Sequence, residues 1–333
     1  MYRERTVGVV VPAYNEEAHV GTVLDTIPPF VDRVYAVDDR STDRTWEIIN
    51  SRVNDENARV EETVESPPVS RADGGTTPPD ITPIRHEKNR GAGAALRTGY
   101  VHALKDGIDI VVAMDADGQM IPEYLPQLLD PIVDDRAEYA KGNRLARQDD
   151  RDGMPSFRLF GNSLLTLLTN ISSGYWGIKD PQNGYTAISH GALARIGIQD
   201  MPDGHDYTND LLVRLNARQM RVADVPMPAM YEDEESTIRY RQFVPRTSKT
   251  LLRGFIQRLG TRARRNGTDP VPYLYGLGIL GASATVVVGL AHVFGILSIP
   301  SIVIAALVGA VAIASIGAVL KDAQAAAELE VVA

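Results

Sequence analysis

Several residue types are absent or rare in this chain of 333 residues. There is no cysteine, so disulfides, thiol catalysis and thiolate metal sites are excluded. Only six of the 34 basic residues are lysine, and the formal net charge is -9. We do not expect such an acidic chain to be a general nucleic-acid binder. The first residues also lack the apolar core and small-residue cleavage site of a secretory signal, which predicts a cytoplasmic start.

Long uncharged apolar runs are present, in contrast, in the C-terminal part. Residues 273–297 and 301–320 form two such runs with a short link between them. Each is at or above the ~20 residues that a membrane-spanning helix needs. Two buried helices of a soluble bundle are the alternative, but such helices normally carry a polar stripe, and these show only His292 with scattered Ser and Thr. We therefore expect a transmembrane hairpin, placed in the cell membrane.

Basic residues flank this expected hairpin. Several arginines precede it, and Lys321 follows it. By the positive-inside rule, we therefore expect both flanks to lie in the cytoplasm. The segment 247–270 before the hairpin is predicted to be amphipathic and to lie at the bilayer surface, with a helix that covers the sheet as the alternative. Its apolar residues, expected on one face, are Leu251, Leu252, Phe255, Ile256 and Leu259. Its arginines near the hairpin are Arg253, Arg258, Arg262, Arg264 and Arg265.

The N-terminal part alternates between strand and helix patterns. The runs "TVGVVVPAY" and "IDIVVAMDADG" are nearly continuous apolar segments rich in β-branched residues, which is typical of buried strands. Helical spacing separates such runs, which predicts an α/β fold with a doubly wound, mostly parallel sheet. Residues 54–80 interrupt the pattern with an acidic stretch rich in Pro and Gly, predicted to be a disordered insertion.

Polar motifs follow three of the predicted strands. They are "PAYNEE", "DDRSTD" and "DADGQ", and ligands bind at the carboxyl ends of strands in open parallel sheets. Asp115 and Asp117 stand one residue apart and can converge on a hard divalent cation, while Gln119 adds a neutral oxygen. The alternative is that these aspartates only cap a following helix. We expect a site for Mg²⁺ or Mn²⁺ here.

Six motifs occur in a fixed order along the chain: "VVVPAYNEE", "VDDRSTDRT", "NRGAGAALRTGY", "MDADGQ", "KGNR" and "DPQNGY". In order and spacing they resemble the family 2 glycosyltransferases of the GT-A fold, most closely the dolichyl (polyprenyl) phosphate sugar transferases. The resemblance covers residues 6 to about 230 and extends to archaeal enzymes with a C-terminal membrane hairpin. It implies a Rossmann-like GT-A sheet followed by two membrane helices.

The resemblance implies which residues contact the nucleotide. Pro12, Tyr14 and Glu16 match residues that contact the base and ribose, and Asp39 matches a further nucleotide-binding position. The motif "NRGAGAALRTG" matches a segment whose backbone passes close to the donor. The structural alternatives are a strand end for Pro12, a packing role for Tyr14 and N-capping of the next helix by Asp39.

The resemblance also implies which residues bind the metal and the diphosphate of the donor. Asp115, Asp117 and Gln119 match the site for the metal and the donor diphosphate, with Asp117 as a catalytic residue. Arg144 matches a basic residue near the sugar diphosphate, with an ordinary surface ion pair as the alternative. The implied donor is a UDP- or GDP-hexose.

One stretch departs from the family pattern. The dolichyl phosphate mannose type has an arginine and then a "GxSK" lysine after "VP", whereas this chain reads "YEDEESTIRYR", with Thr237 at the lysine position. The candidates for the missing charge are Arg239, Arg241 and Lys249. The identity of the donor sugar stays open.

The expected reaction is inverting transfer of a hexose from a nucleotide sugar to dolichyl (polyprenyl) phosphate at the cytoplasmic membrane face. A phosphate acceptor is already ionised, so alignment supplies much of what a base would provide. A sugar hydroxyl would need a base, for which Asp206 and Asp210 are the candidates; their alternative is a helix start with favourable dipole charges. The other hypotheses are a transferase that extends a lipid-linked glycan and a non-catalytic scaffold that binds sugar nucleotide.

The expected organisation has four parts, and the sequence indicates no oligomeric state. They are a cytoplasmic GT-A domain at 1–246, the amphipathic segment at 247–270, two transmembrane helices within 271–321 and a cytoplasmic tail at 322–333.

Overall fold

The computed structural model describes residues 1–53, 79–146, 156–228, 240–294, 296 and 300–332. Within these ranges eight strands form one sheet. In chain order they are β1 (Val7–Ala13), β2 (Arg33–Asp38), β3 (Asp80–Arg85), β4 (Ile110–Ala113), β5 (Tyr139–Asn143), β6 (Thr186–Ser189), β7 (Val222–Pro226) and β8 (Glu330–Val332).

Helices connect and cover these strands. They are α1 (Val20–Thr26), α2 (described over 45–53), α3 (Ala92–Lys105), α4 (Leu125–Val133), α5 (Ser156–Ser173), α6 (His190–Arg195), α7 (Tyr207–Ala217), α8 (Tyr240–Arg265), α9 (Pro270–Val293) and α10 (Ser301–Ala326).

The sheet is mixed and mostly parallel, which confirms the predicted fold class. Its order is β3-β2-β1-β4-β6-β5-β7-β8, and β6 runs antiparallel to its neighbours β4 and β5. Val9 of β1 belongs to the apolar cluster on one face, and Val10 belongs to the cluster on the other. Because both faces are covered, the strand reads as a continuous apolar run rather than an alternating one.

The two apolar helices α9 and α10 are long and apolar enough to cross a membrane, with mean hydropathies of 1.8 and 2.7. Only 11% and 6% of their most apolar windows are buried within the protein. The helices pack along each other, and Gly278 of α9 faces Ser315 of α10. The helix bounds differ slightly from the predicted 273–297 and 301–320.

The predicted interfacial segment is the larger part of α8, and its apolar residues differ in exposure. Leu251 is buried, and Phe255 and Leu259 pack against the apolar cluster at the base of α9 and α10. Leu252 and Ile256 are exposed instead. At about 100° per residue the five apolar side chains span roughly 140° of the helix surface, so one apolar stripe is packed within the protein along one side and exposed along the other.

The arginines of this segment also divide. Arg258 is 1% exposed and donates to both carboxylate oxygens of Asp322 in α10, at 2.9 and 2.8 Å. Arg262 donates to Asp322 at 2.7 Å and forms an ion pair with Asp269. Two of the five arginines are thus internal structural groups, and Arg253, Arg264 and Arg265 are the exposed ones.

The residues after the second apolar helix do not form a separate tail. Helix α10 continues to Ala326, and β8 then pairs in parallel with β7 in the register Val222↔Glu330. The expected tail at 322–333 is therefore part of the helix and of the sheet in the described residues. Of the predicted insertion at 54–80, residues 54–78 lie outside the described ranges, and Asp80 begins β3.

Candidate functional site

The carboxyl ends of β2, β1 and β4 lie side by side, because these strands are parallel neighbours. The loops that follow them are in contact. The amide of Asn15 donates to Ser41 Oγ at 2.9 Å, and the amide of Glu16 donates to Thr45 Oγ1 at 2.7 Å. On the other side, Gly118 of "DADGQ" lies beside the ring of His19. The three polar motifs predicted to meet therefore do meet at one edge of the sheet.

The residues predicted to contact the base and ribose lie at this edge. Pro12 is half-buried near the end of β1, Tyr14 is 45% exposed in the loop after it, and Glu16 is half-buried. An exposed aromatic ring beside the strand ends is available for stacking on a base. The nucleotide role of these three residues stays a prediction.

Asp39 is buried and bound within the protein. Its Oδ1 lies 2.6 Å from His86 Nδ1, and its oxygens accept the amides of Arg90 at 2.9 and 3.1 Å and of Gly91 at 2.6 Å. It therefore fixes the loop after β3, and a nucleotide would have to share these oxygens. Asp39 does not cap the next helix, because Asp43 accepts the amide of Thr45 there.

The glycines of "NRGAGAALRTG" allow another part of the backbone to pass close to this segment. A Cβ added at Gly91, whose φ is +103°, would lie 2.5 Å from the carbonyl oxygen of Asp203. Gly93 faces the carbonyl of Pro202 in the same way. In this structure the segment lets the backbone of residues 202–204 approach α3, whereas the resemblance implied an approach to the donor.

The metal-type residues lie in an open cleft of about 540 Å³ beyond the end of β4. Asp115 is half-buried, and Asp117 Oδ1 accepts the amide of Gln119 at 3.0 Å across Gly118, whose φ is +78°. The described residues that line the cleft are Asp115, Asp117, Gln119, Met120, Ile121, Tyr124, Arg144, Gln182, Asn183, Gly184, Tyr185, Met227 and Pro228. The predicted metal ligands and Arg144 are therefore brought together.

The electrostatics of the cleft suit a cation. Burial, and next the negative charge of Asp117, raise the pKa of Asp115 to about 7, although the positive charges of Arg144 and Lys141 lower it.

The two carboxylates of Asp115 and Asp117 and the amide oxygen of Gln119 form an all-oxygen donor set. Mg²⁺ is typically held by one or two carboxylates together with substrate phosphates rather than by a complete protein cage. Asp115, Asp117 and Gln119 thus fit Mg²⁺ or Mn²⁺.

A second wall of the cleft contains Arg144 and residues of the "DPQNGY" segment, and the fully buried Lys141 lies behind it. Arg144 forms a bidentate ion pair with Asp180, with Nε to Oδ2 at 2.8 Å and Nη2 to Oδ1 at 3.2 Å. Lys141 is fully buried and donates to the carbonyl of Asn183, and burial lowers its pKa to about 8. Both cations hold the "DPQNGY" segment against β5. Arg144 remains partly exposed in the cleft and is able to face a diphosphate.

Sequence reasoning missed several residues of this wall. Asp180, Gln182 and Asn183 belong to a motif that was recognised but given no role. Asp224, whose Oδ2 accepts Asn143 Nδ2 at 2.5 Å, carried no signal at all. Burial raises the pKa of Asp224 to about 6. Its position depends on the pairing of β5 with β7, which local patterns do not reveal.

Asp206 and Asp210 lie at the start of α7 and are not among the described residues that line the cleft. Asp206 accepts Thr250 Oγ1 at 2.7 Å and lies 3.1 Å from Arg246 Nε, both in α8. Asp210 forms an ion pair with Arg214, and burial raises its pKa. Both carboxylates thus have basic partners, and a base role for either stays a prediction.

The residues proposed to replace the missing family charge are only partly described. Thr237 and Arg239 lie outside the described residues, as does the side chain of Arg241. Lys249 is exposed on α8 and is not among the described lining residues of the cleft.

Gly184 lies against the carboxylate of Asp115, so a larger residue there would test whether the position of that carboxylate matters. A Cβ added there would lie 2.6 Å from Asp115 Oδ2 and 3.3 Å from the Met120 methyl group. We expect Gly184→Ala to displace the Asp115 carboxylate and to weaken Mn²⁺-dependent nucleotide binding about tenfold, since small misplacements at such sites are costly. Calorimetry with Mn²⁺ and UDP or GDP measures this. Gly191→Ala is the control, because an added Cβ there meets open space. Unchanged affinity in Gly184→Ala would contradict the geometry.

Comparison with known proteins agrees with this fold. A family model described as Glycosyl transferase family 2 matches residues 8–197. The chain is 29% identical over 231 residues to the UDP-N-acetylglucosamine–dolichyl-phosphate N-acetylglucosaminyltransferase of Methanococcus voltae, covering 69% of this chain and 88% of that one. It is 28% identical over 223 residues to the polyprenol monophosphomannose synthase of Mycolicibacterium smegmatis, covering 66% and 75%.

A solved structure shows the same fold. Glucosyl-3-phosphoglycerate synthase from Mycobacterium tuberculosis, crystallised with Mn²⁺, UDP-glucose and phosphoglyceric acid, superposes with a TM-score of 0.52 at 20% identity. The match covers 77% of this chain and 80% of that one. These findings confirm the family and the GT-A fold predicted from the six motifs. The chain belongs to glycosyl transferase family 2.

Proposed function

We propose that this protein transfers a hexose from a nucleotide sugar to dolichyl (polyprenyl) phosphate, with inversion, at the cytoplasmic face of a membrane. The observation that carries the proposal is the cleft itself. Two carboxylates, Asp115 and Asp117, line it together with Arg144 at the carboxyl edge of the sheet. A nucleoside diphosphate bound through a divalent cation needs both kinds of group.

The donor occupies the edge formed by the ends of β1, β2 and β4. Tyr14 and Glu16 contact the base and ribose, and Arg144 contacts the diphosphate from the second wall of the cleft. Asp115, Asp117 and Gln119 hold the divalent cation. When bound, it neutralises the charge that develops on the nucleoside diphosphate leaving group.

The acceptor is a phosphate rather than a sugar hydroxyl. A phosphate monoester is already ionised at neutral pH and needs alignment more than deprotonation. The two carboxylates considered as bases, Asp206 and Asp210, both have basic partners outside the described cleft lining. The two curated relatives described above are named for transfer to dolichyl phosphate and for polyprenol monophosphomannose synthesis, which supports a lipid phosphate.

The bilayer is the second partner. Helices α9 and α10 span it, and the exposed apolar residues of α5 and α8 lie against its surface. These residues are Leu164, Leu167, Leu168, Leu252 and Ile256. The exposed Arg253, Arg264 and Arg265 contact anionic headgroups, each contributing roughly 1 kcal/mol near such a surface.

The pairing of β8 with β7 also supports an even number of membrane crossings. Helices α9 and α10 lie in the chain between these two strands, and both strands belong to one sheet.

Substitution of the two helix-start carboxylates distinguishes the acceptors. We expect Asp206→Asn and Asp210→Asn to lower turnover less than about tenfold and to leave its pH dependence unchanged, since an ionised phosphate needs no base. Turnover with dolichyl phosphate is measured across pH 5 to 9 (roughly the range in which a carboxylate base of raised pKa would titrate). A loss of ~10²-fold or more, with a shifted pH profile, would favour the hydroxyl acceptor.

The proposed function is tested by a screen of labelled nucleotide sugars. Membranes that contain the full chain receive each UDP- or GDP-hexose, N-acetylhexosamines included, with and without added dolichyl phosphate. We expect a lipid-extractable product that depends on both dolichyl phosphate and Mg²⁺ or Mn²⁺. Hexose found only on a lipid-linked oligosaccharide would identify the extending transferase, and binding without turnover would identify the scaffold.

A further inference from the structure

The segment 171–177 links the end of α5 to the cleft wall. Only four residues separate it from Gln182, the first cleft-lining residue that follows. A shift of this segment would therefore be passed directly to the wall that carries the "DPQNGY" motif. Two groups from the C-terminal part of the chain hold it in place.

Arg258 holds the first part of the segment. Its Nε donates to the carbonyl of Ser172 and its Nη2 to the carbonyl of Ile171, both at 2.9 Å. Its remaining hydrogen bonds go to Asp322 at the end of α10. The second apolar helix thus fixes the guanidinium that binds the last carbonyls of α5.

Glu330 holds the second part. The carboxylate Oε1 of this β8 residue accepts the amide of Gly177 at 2.6 Å. A Cβ added at Gly177 would lie 2.8 Å from Oε2, so the carboxylate of Glu330 would have to shift to admit a larger residue there. Since β8 also pairs with β7, Glu330 is itself held by the edge of the sheet.

The fixed segment leads to the wall of the cleft that contains Arg144. Asp180 stands three residues after Gly177 and binds the guanidinium of Arg144 through both oxygens. Asn183 follows and accepts from Lys141. The wall is therefore held from β5 on one side and from β8 on the other.

We propose that Glu330 is a positioning residue for the donor: it fixes Gly177 and, through the residues that follow, the Asp180–Arg144 pair. The inference rests on the proposed function, because it takes Arg144 as a contact of the donor diphosphate. Strand β8, which follows α9 and α10 in the chain, then takes part in nucleotide binding. Loss of the carboxylate frees the Gly177 amide, and the wall then holds Arg144 less well.

The test uses the full chain in detergent with lipid. Binding of UDP or GDP with Mn²⁺ is measured by calorimetry, and KM and kcat are measured for transfer to dolichyl phosphate. We expect Glu330→Ala to weaken nucleotide binding and to raise the donor KM, each roughly tenfold, with kcat changed less than about twofold. Glu330→Gln keeps an acceptor oxygen and is expected within about twofold of the natural protein.

The controls separate positioning from general stability. Glu328→Ala alters an exposed acid two residues before Glu330 and is expected to change neither constant. Gly177→Ala displaces the same carboxylate from the other side and is expected to weaken nucleotide binding in the same direction. It keeps the inference testable if Glu330→Ala does not fold. In an Arg144→Ala background, Glu330→Ala is expected to add less than about twofold, because both changes act on one contact.

The outcomes distinguish this inference from the proposed function. Unchanged nucleotide affinity in both Glu330→Ala and Gly177→Ala, or a full additional loss in the Arg144→Ala background, would overturn the positioning role. If the natural protein binds Mn²⁺ and nucleotide but transfers nothing to dolichyl phosphate, the proposed function fails. The positioning role is then still supported or overturned by the binding measurements alone.

Discussion

Replacing Asp117 with alanine is expected to lower turnover at least ~100-fold while leaving the fold intact. The carboxylate lines the cleft together with Asp115 and Arg144, so its loss removes one of the proposed ligands of the cation. Metal stabilisation of a leaving group is worth several kcal/mol, and each ~1.4 kcal/mol corresponds to tenfold in rate. Initial rates of hexose transfer at saturating donor and Mn²⁺ measure the effect.

The matched control for this variant is Asp200→Ala, which removes an exposed aspartate side chain from the surface. It is expected to retain full turnover. Circular dichroism and the unfolding temperature of both variants establish that the fold is kept. Near-normal turnover of Asp117→Ala, or of the natural protein in excess chelator, would refute the metal assignment.

Replacing Asp322 with alanine is expected to be strongly destabilising. The carboxylate is 1% exposed and accepts from Arg258, from Arg262 and, at 3.2 Å, from the hydroxyl of Tyr275. Its removal leaves the guanidinium of Arg258 buried without a counter-charge. Breaking a buried pair in this way costs about 3–5 kcal/mol.

Thermal unfolding in detergent measures this effect. For a chain of this size the unfolding midpoint is expected to fall by roughly 10 °C, since ~1 kcal/mol corresponds to about 2–4 °C. Glu328→Ala, an exposed acid near the same helix end, is the control and is expected to unfold like the natural protein. An unchanged midpoint in Asp322→Ala would mean that the Arg258 contact contributes little.

The parts of the fold that follow from local pattern were predicted correctly. The buried strands β1 and β4 appear as continuous apolar runs, and the polar residues after them mark the carboxyl edge of the sheet. Asp115 and Asp117 stand two and four positions after the last residue of β4, so the position of the strand nearly fixes the positions of these aspartates. The long apolar helices were likewise visible, because their length and lack of charge are local properties.

The parts that depend on distant partners were not predicted. Asp39 accepts amides from residues 51 and 52 positions later, and Arg258 meets its carboxylate 64 positions later. A sequence pattern shows the charge of such a residue but not its partner. Strand β8 has three residues, too few for an alternation to be recognised. The contact of Glu330 with Gly177 follows from that strand and was missed with it.

The place of β8 in the sheet also has a consequence for the order of synthesis. Strand β7 leaves the ribosome long before β8, because α8, α9 and α10 are made between them. Until α10 has been completed, the outer edge of β7 carries unpaired amides and carbonyls, and such edges invite pairing with other chains. Because domains fold as the chain emerges, the nascent protein passes through a stage with an open sheet edge while its two apolar helices are being synthesised. Closure of that edge is therefore a late event of biogenesis, which follows the synthesis of α10.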